Sequence, residues 1–86
     1  MDKEDFDGLV QGMREAAADI KSRRAAKVKA IRAKTKLSQP AFAARYHLSV
    51  RTLQNWESGK AIDSVGETLL TLIDRDPDTV ARLLNA

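Results

Sequence analysis

The chain has 86 residues, 43% hydrophobic and 31% charged, with a formal net charge of +3, no cysteine and one histidine. That length is one domain with a modest core, and without cysteine there are neither disulfides nor thiolate metal sites. No apolar run approaches the ~20 residues that cross a bilayer, and the acidic start MDKEDFDG lacks the basic-then-apolar order of a secretory signal, so a cytoplasmic protein without membrane association is expected.

The small net charge hides a segregation. Residues 1–20 carry two basic and six acidic side chains, residues 21–60 eleven basic and one acidic, and residues 61–86 two basic and five acidic. A basic centre between acidic ends attracts phosphate and speeds encounter with it.

Taken in chain order, Phe6, Leu9, Val10, Met13, Ala16, Ala17 and Ile20 recur at helical spacing and make an apolar stripe on an acidic helix. Gly8 and Gly12 weaken that helix by roughly 1 kcal/mol each relative to Ala, so it is expected to need a partner surface. Residues 21–36 form a basic helical segment whose buried side is Val28 and Ile31. No Gly or Pro separates it from the first helix, which leaves open one long helix or two with a hinge near Lys21 to Arg24. Ser38 is a good N-cap for a helix running to about Tyr46, with Pro40 in the first turn, where its missing N–H costs little. Ser49 caps the next helix, which ends near Ser58 with Gly59 as its stop. Ser64 and Glu67 have capping-box spacing and open a helix expected to turn Val65, Leu69, Leu72 and Ile73 inward. Asp76 caps a last helix with Pro77 at its first position, and Val80, Leu83 and Leu84 are expected to close the core. No strand pattern appears, so the class is all-α.

The segment Gln39 to Ser58 has the layout of a DNA-reading helix-turn-helix: a helix, a short turn, and a second helix opening on a serine cap. Phe42, Tyr46, Leu48, Leu53 and Trp56 fall where two crossed helices pack on each other, and Ala43 falls where they come closest. The register of Trp56 with Leu53 points it into the core rather than toward a base. His47 sits in the turn, where φ > 0 is often needed and His is tolerated. Glu57 is isolated and reads as a structural or helix-end group.

Arg51, Gln54 and Asn55 are left facing outward. Arg can hold guanine O6 and N7 through a fork of two hydrogen bonds, Asn or Gln can do the same for adenine N6 and N7, and Val50 can touch a thymine methyl. Val50, Arg51, Gln54 and Asn55 are therefore the candidate base-reading residues. Gln39, at a helix N-terminus, and Lys36, Arg45, Ser49, Thr52 and Lys60 are the candidate phosphate contacts. No paired carboxylates, Ser/His/Asp set or phosphate-cradling glycine loop is present, so neither an enzyme, a catalytic residue, a metal site nor a cofactor is expected.

The stretch KAIRAKTKLSQPAFAARYHLSVRTLQNWESGKA resembles the XRE/Cro-type helix-turn-helix family, and more narrowly the HigA-type antitoxins. The residues that carry the resemblance are Ile31-Arg32, Leu37-Ser38-Gln39, Phe42-Ala43, Thr52 to Glu57, Gly59, Leu69-Leu70 and Asp76-Pro77, with the acidic FDGLVQGMREA start. His47 stands where the family usually has a turn glycine. The resemblance implies a five- or six-helix bundle with a lambda-repressor-like helix-turn-helix in residues 25–86, preceded by an amphipathic acidic helix in residues 1–24. It also implies a homodimeric repressor of its own operon that binds a palindromic double-stranded operator. The implied partner is a small basic toxin of the RelE/ParE type. In that frame Phe6, Leu9, Val10 and Met13 are the candidate partner-binding residues, an acidic surface being suited to a basic toxin. The alternatives are a stand-alone or phage-like regulator of the same family without a toxin, and an interaction module that does not bind DNA.

Overall fold

The computed structural model describes the backbone of residues 3–86 and the side chains of residues 18–86. It is all-helical: α1 spans Lys3–Thr35, α2 Gln39–Arg45, α3 Val50–Glu57, α4 Ser64–Arg75 and α5 Pro77–Leu84, with no strand among the described residues. The open question of one N-terminal helix or two is answered by α1, which runs unbroken through Lys21 to Arg24. No helix among the described residues is long and apolar enough to cross a membrane.

Each helix boundary has a local cause. Ser38 Oγ accepts from the Ala41 N–H at 3.3 Å, and Pro40 occupies the first turn of α2. Ser49 Oγ accepts from the Thr52 N–H at 3.0 Å and so starts α3. Asp76 starts α5 by accepting from the Thr79 N–H and hydroxyl. Those bonds, the one from the hydroxyl foremost, hold the Asp76 carboxyl below its usual range because they favour the charged form. At α4 the expected cap is displaced by one residue. Asp63, not Ser64, is the N-cap, its Oδ1 accepting from the Gly66 N–H at 2.8 Å. A carboxylate is an acceptor as good as a serine hydroxyl at this position, and Ser64 becomes the first helical residue.

The core gathers Val28 and Ile31 of α1, Phe42 and Ala43 of α2 with its cap residue Tyr46, Leu53 and Trp56 of α3, Leu70 and Ile73 of α4, and Ala81 of α5. Phe42 and Tyr46, one helical turn apart, bring their ring centroids to 4.7 Å in a tilted pair. The Tyr46 hydroxyl donates to the Pro77 carbonyl at 3.0 Å, and burial raises its pKa above the usual value. Leu37, Leu48, Val50, Ile62, Leu69 and Val80 pack half-buried around this cluster.

Two expected inner faces are corrected. On α4 the buried side is Gly66, Leu70 and Ile73, whereas Val65 is 75% exposed and Leu72 is exposed. The close neighbour is Trp56: a β-carbon at Gly66 would lie 2.8 Å from Trp56 Cζ2, so the glycine side of α4 is the one that fits the indole. On α5 Ala81 is buried and Val80 half-buried, while Leu83 is 70% exposed and Leu84 is exposed. An apolar groove lined by Val65, Thr68, Leu69 and Leu72 is left open along α4.

Candidate nucleic-acid interface

Helices α2 and α3 are joined by a short turn. The α2 end is closed by His47, whose φ of +59° lets the Leu48 N–H reach the Ala43 carbonyl at 2.8 Å and the His47 N–H the Ala44 carbonyl at 3.5 Å. This is the double bond pattern of a left-handed helix cap. The His47 ring also meets Asn85, the C-cap of α5, through Nε2 and Oδ1 at 3.1 Å. Asn85 in turn donates to the Arg45 carbonyl at 3.0 Å, so the last helix end braces the turn.

α3 divides sharply into two sides. Leu53, Trp56 and Glu57 are buried, and Arg51 and Gln54 are exposed. Asn55 is half-exposed, with its Oδ1 3.4 Å from Lys60 Nζ. Val50 is half-buried and packs against the core, so less of it is free to meet a base than of Arg51. Ser49 donates to Thr52 Oγ1 at 2.7 Å, which engages both hydroxyls at the helix start. Lys36 closes α1 with a φ of +59° and is exposed. Ser49, Arg51, Thr52, Gln54, Asn55 and Lys60 thus lie on α3 or immediately beside it.

Two further phosphate candidates are held by carboxylates. Gln39 Nε2 is 3.4 Å from Glu57 Oε1, and Arg45 Nη2 pairs with Asp78 of α5 at 3.2 Å. The side chains of Phe6, Leu9, Val10 and Met13 lie outside the described residues.

The most consequential pair was not among the candidates. Glu57, the single acid of the basic block, has a side chain 4% exposed and receives a two-pronged contact from Arg32 of α1: Nε to Oε2 at 2.8 Å and Nη2 to Oε1 at 3.0 Å. Arg32 Nη1 also donates to the Leu37 carbonyl at 3.0 Å. The hydrogen bond to Glu57 raises the Arg32 pKa further and so favours the charged guanidinium. A fork-to-fork pair of this kind is directional. It ties the end of α3 to α1, and through Gln39 to the start of α2. The signal was present in the register: Glu57 follows Leu53 by four and Arg32 follows Val28 by four, which puts each on its helix's buried side.

The basic block is less uniform in space than in sequence. Lys27 pairs with Glu67, Lys34 with Asp74, Arg32 with Glu57 and Arg45 with Asp78. Carboxylates of the C-terminal half thereby screen the sides of α1 and α2, while Arg51, Lys36 and Lys60 form no ion pair among the described residues. Nor is there, among the described residues, a group of three or more His, Cys, Asp or Glu side chains placed to hold a metal.

The chain is similar to antitoxin HigA-2 of Vibrio cholerae serotype O1 (strain ATCC 39315 / El Tor Inaba N16961), with 39% identity over 54 residues. The match covers 62% of this chain and 52% of the relative, so the chain spans about half the length of the curated relative it matches. No family model and no solved structure matches.

Proposed function

We propose that the chain is a sequence-specific DNA-binding repressor that also serves as the antitoxin of a toxin–antitoxin pair. The observation that carries the DNA half is the two-sided α3. Its apolar side is consumed by the core, and its polar side offers Arg51, Gln54 and Asn55 beside Lys60, which forms no ion pair among the described residues. With α2 and the His47 turn this makes a helix-turn-helix whose second helix is free to enter a major groove. Arg51 and Asn55, four residues apart, are the principal base readers; Val50 and Gln54 contribute at the flanks. Lys36, Ser49, Thr52 and Lys60 set the register on phosphates, with Gln39 and Arg45 joining by exchanging their present partners.

The antitoxin half rests on the similarity to an antitoxin and on the apolar stripe Phe6 to Ile20 of the acidic segment 1–24. Ile20, the member of that stripe whose side chain is described, is 55% exposed, as suits a face awaiting a partner. The expected partner is a small basic toxin. The exposed Val65, Leu72 and Leu83 support a homodimer, which requires a palindromic site with half-sites one helical turn, ~10 bp, apart. Repression of the chain's own operon follows if that site lies in its upstream region.

Binding of the upstream DNA by the intact chain, read by fluorescence anisotropy, tests the first half. Arg51→Ala and Asn55→Ala should each cost about 1–3 kcal/mol on the specific site and little on unrelated DNA. Equal loss on every sequence removes the base-reading role. Co-expression with the product of the adjacent gene tests the second half. Growth arrest by that product, relieved by this chain and not by a chain lacking residues 1–20, supports the antitoxin role. A harmless or non-binding neighbour leaves a stand-alone regulator.

A further inference from the structure

Where the C-terminal carboxylates screen Lys27, Arg32, Lys34 and Arg45, a second set of cations is left without any. Lys21, Arg24 and Lys60 make no ion pair among the described residues, and the fold collects them around one point, Gly59. Gly59 has a φ of +92°, and a β-carbon there would lie 2.8 Å from the Lys21 carbonyl oxygen and 3.1 Å from Lys21 Cβ. Arg24 Nη1 donates to the Gly59 carbonyl at 2.8 Å. Lys60 follows Gly59 directly, and its ammonium is 3.4 Å from Asn55 Oδ1 on the outer side of α3. Of the carboxylates nearest in sequence, Asp19 pairs with Arg23 at 2.8 Å, Glu57 pairs with Arg32, and Asp63 caps α4 by accepting from the Gly66 N–H at 2.8 Å.

Three cations rooted around one loop without a counter-ion among the described residues favour a polyanion brought to that surface. The patch is continuous with α3: Asn55 leads to Lys60, Lys60 to Gly59, and Gly59 to Lys21 and Arg24. We propose that Lys21 and Arg24 of α1, together with Lys60, form a phosphate-binding patch that carries the DNA footprint beyond the α2–α3 motif onto the backbone of the flanking duplex. This rests on the DNA-binding reading above. It adds two residues of α1 to the interface and assigns them to affinity and salt dependence rather than to sequence choice.

Lys21→Gln is the appropriate variant, because the contacts Lys21 makes with Gly59 use its carbonyl and β-carbon, which the substitution keeps. The intact chain would be titrated across salt concentrations on two duplexes: the footprinted upstream site with its natural flanks, and the same site trimmed to the segment read by α3. On the flanked duplex the salt slope should fall by about 0.9. A fourfold rise in salt then removes roughly 3.5-fold more affinity from the wild type than from the variant. On the trimmed duplex the two proteins should coincide. Four results overturn the proposal. If Lys21→Gln keeps the wild-type slope while Arg51→Ala weakens the specific site, the DNA reading survives and the patch lies outside the footprint. If Lys21→Gln weakens both duplexes equally, the residue acts inside the motif. If it weakens capture of the neighbouring gene's product instead, the patch serves a protein. Failure of the wild type to bind either duplex removes the DNA reading and the patch together.

Discussion

Helix α3 is entered through an exposed turn that the α5 end touches only through the Asn85 side chain, and left through a loop pressed against the backbone of α1. Both ends use the same backbone device. At the entry, His47 takes a φ of +59° and the amides of His47 and Leu48 return to the carbonyls of Ala44 and Ala43. At the exit, Gly59 takes a φ of +92° and the amides of Gly59 and Lys60 return to Trp56 and Asn55 at 3.1 and 3.0 Å. The difference is what stands beside the left-handed residue. His47 is exposed and carries a β-carbon without conflict. Gly59 is buried against the Lys21 carbonyl, with Arg24 bonded to its own carbonyl and the Arg32–Glu57 pair one turn away. A positive φ alone favours glycine by a modest margin; a positive φ with another backbone pressed against it leaves glycine as the residue that fits.

The largest effect that can test this contrast is at the exit. Arg32→Ala leaves the Glu57 carboxylate buried without its cation and should cost about 3 kcal/mol, the lower end for breaking a buried pair because Arg32 itself is partly solvated. Urea denaturation measures it. An apolar double replacement, Arg32→Met with Glu57→Leu, should recover most of that loss, because no lone charge remains. A loss under about 1 kcal/mol in the single variant would mean that the exit is not held by this pair.

Gly59→Ala comes next, at roughly 2 kcal/mol from left-handed strain and the displacement of α1 needed to clear the Lys21 carbonyl. In a domain of this size that lowers Tm by about 8–16 °C, readable by circular dichroism. The smallest effect belongs to the entry. His47→Gly removes the left-handed cost and the contact to Asn85, so a gain of no more than about 1 kcal/mol is expected. If Gly59→Ala proves as mild as His47→Gly, the close approach of α1 contributes nothing and the contrast between the two ends collapses.

Most helix boundaries were legible because their causes lie within three or four residues. Ser38 with Pro40, Ser49, Gly59, and Asp76 with Pro77 each satisfy or end a backbone ladder locally, and the packing of Phe42, Tyr46, Leu53 and Trp56 follows from their register. Where two adjacent residues can do the same work the choice was not legible. Asp63 and Ser64 are both competent caps, and the structure uses the first. On α4 the expected stripe Val65, Leu69, Leu72 and Ile73 and the buried side Gly66, Leu70 and Ile73 have helical spacing and share Ile73. Periodicity ranks the first higher, since it counts apolar side chains and a glycine has none.

What the sequence by itself determined is local: an all-helical chain, the starts of α2, α3 and α5, the inward side of α3 and hence the outward Arg51, Gln54 and Asn55. Hydrogen-bond capping and helical register act over a few residues and need no partner. What only the tertiary structure decided is which side of α4 meets Trp56, which of the basic side chains are neutralised, and that Arg32, Arg24 and Lys21 of one continuous α1 close around the end of α3. Those outcomes depend on contacts between residues as far as 40 positions apart, brought together by shape and charge that no local pattern encodes.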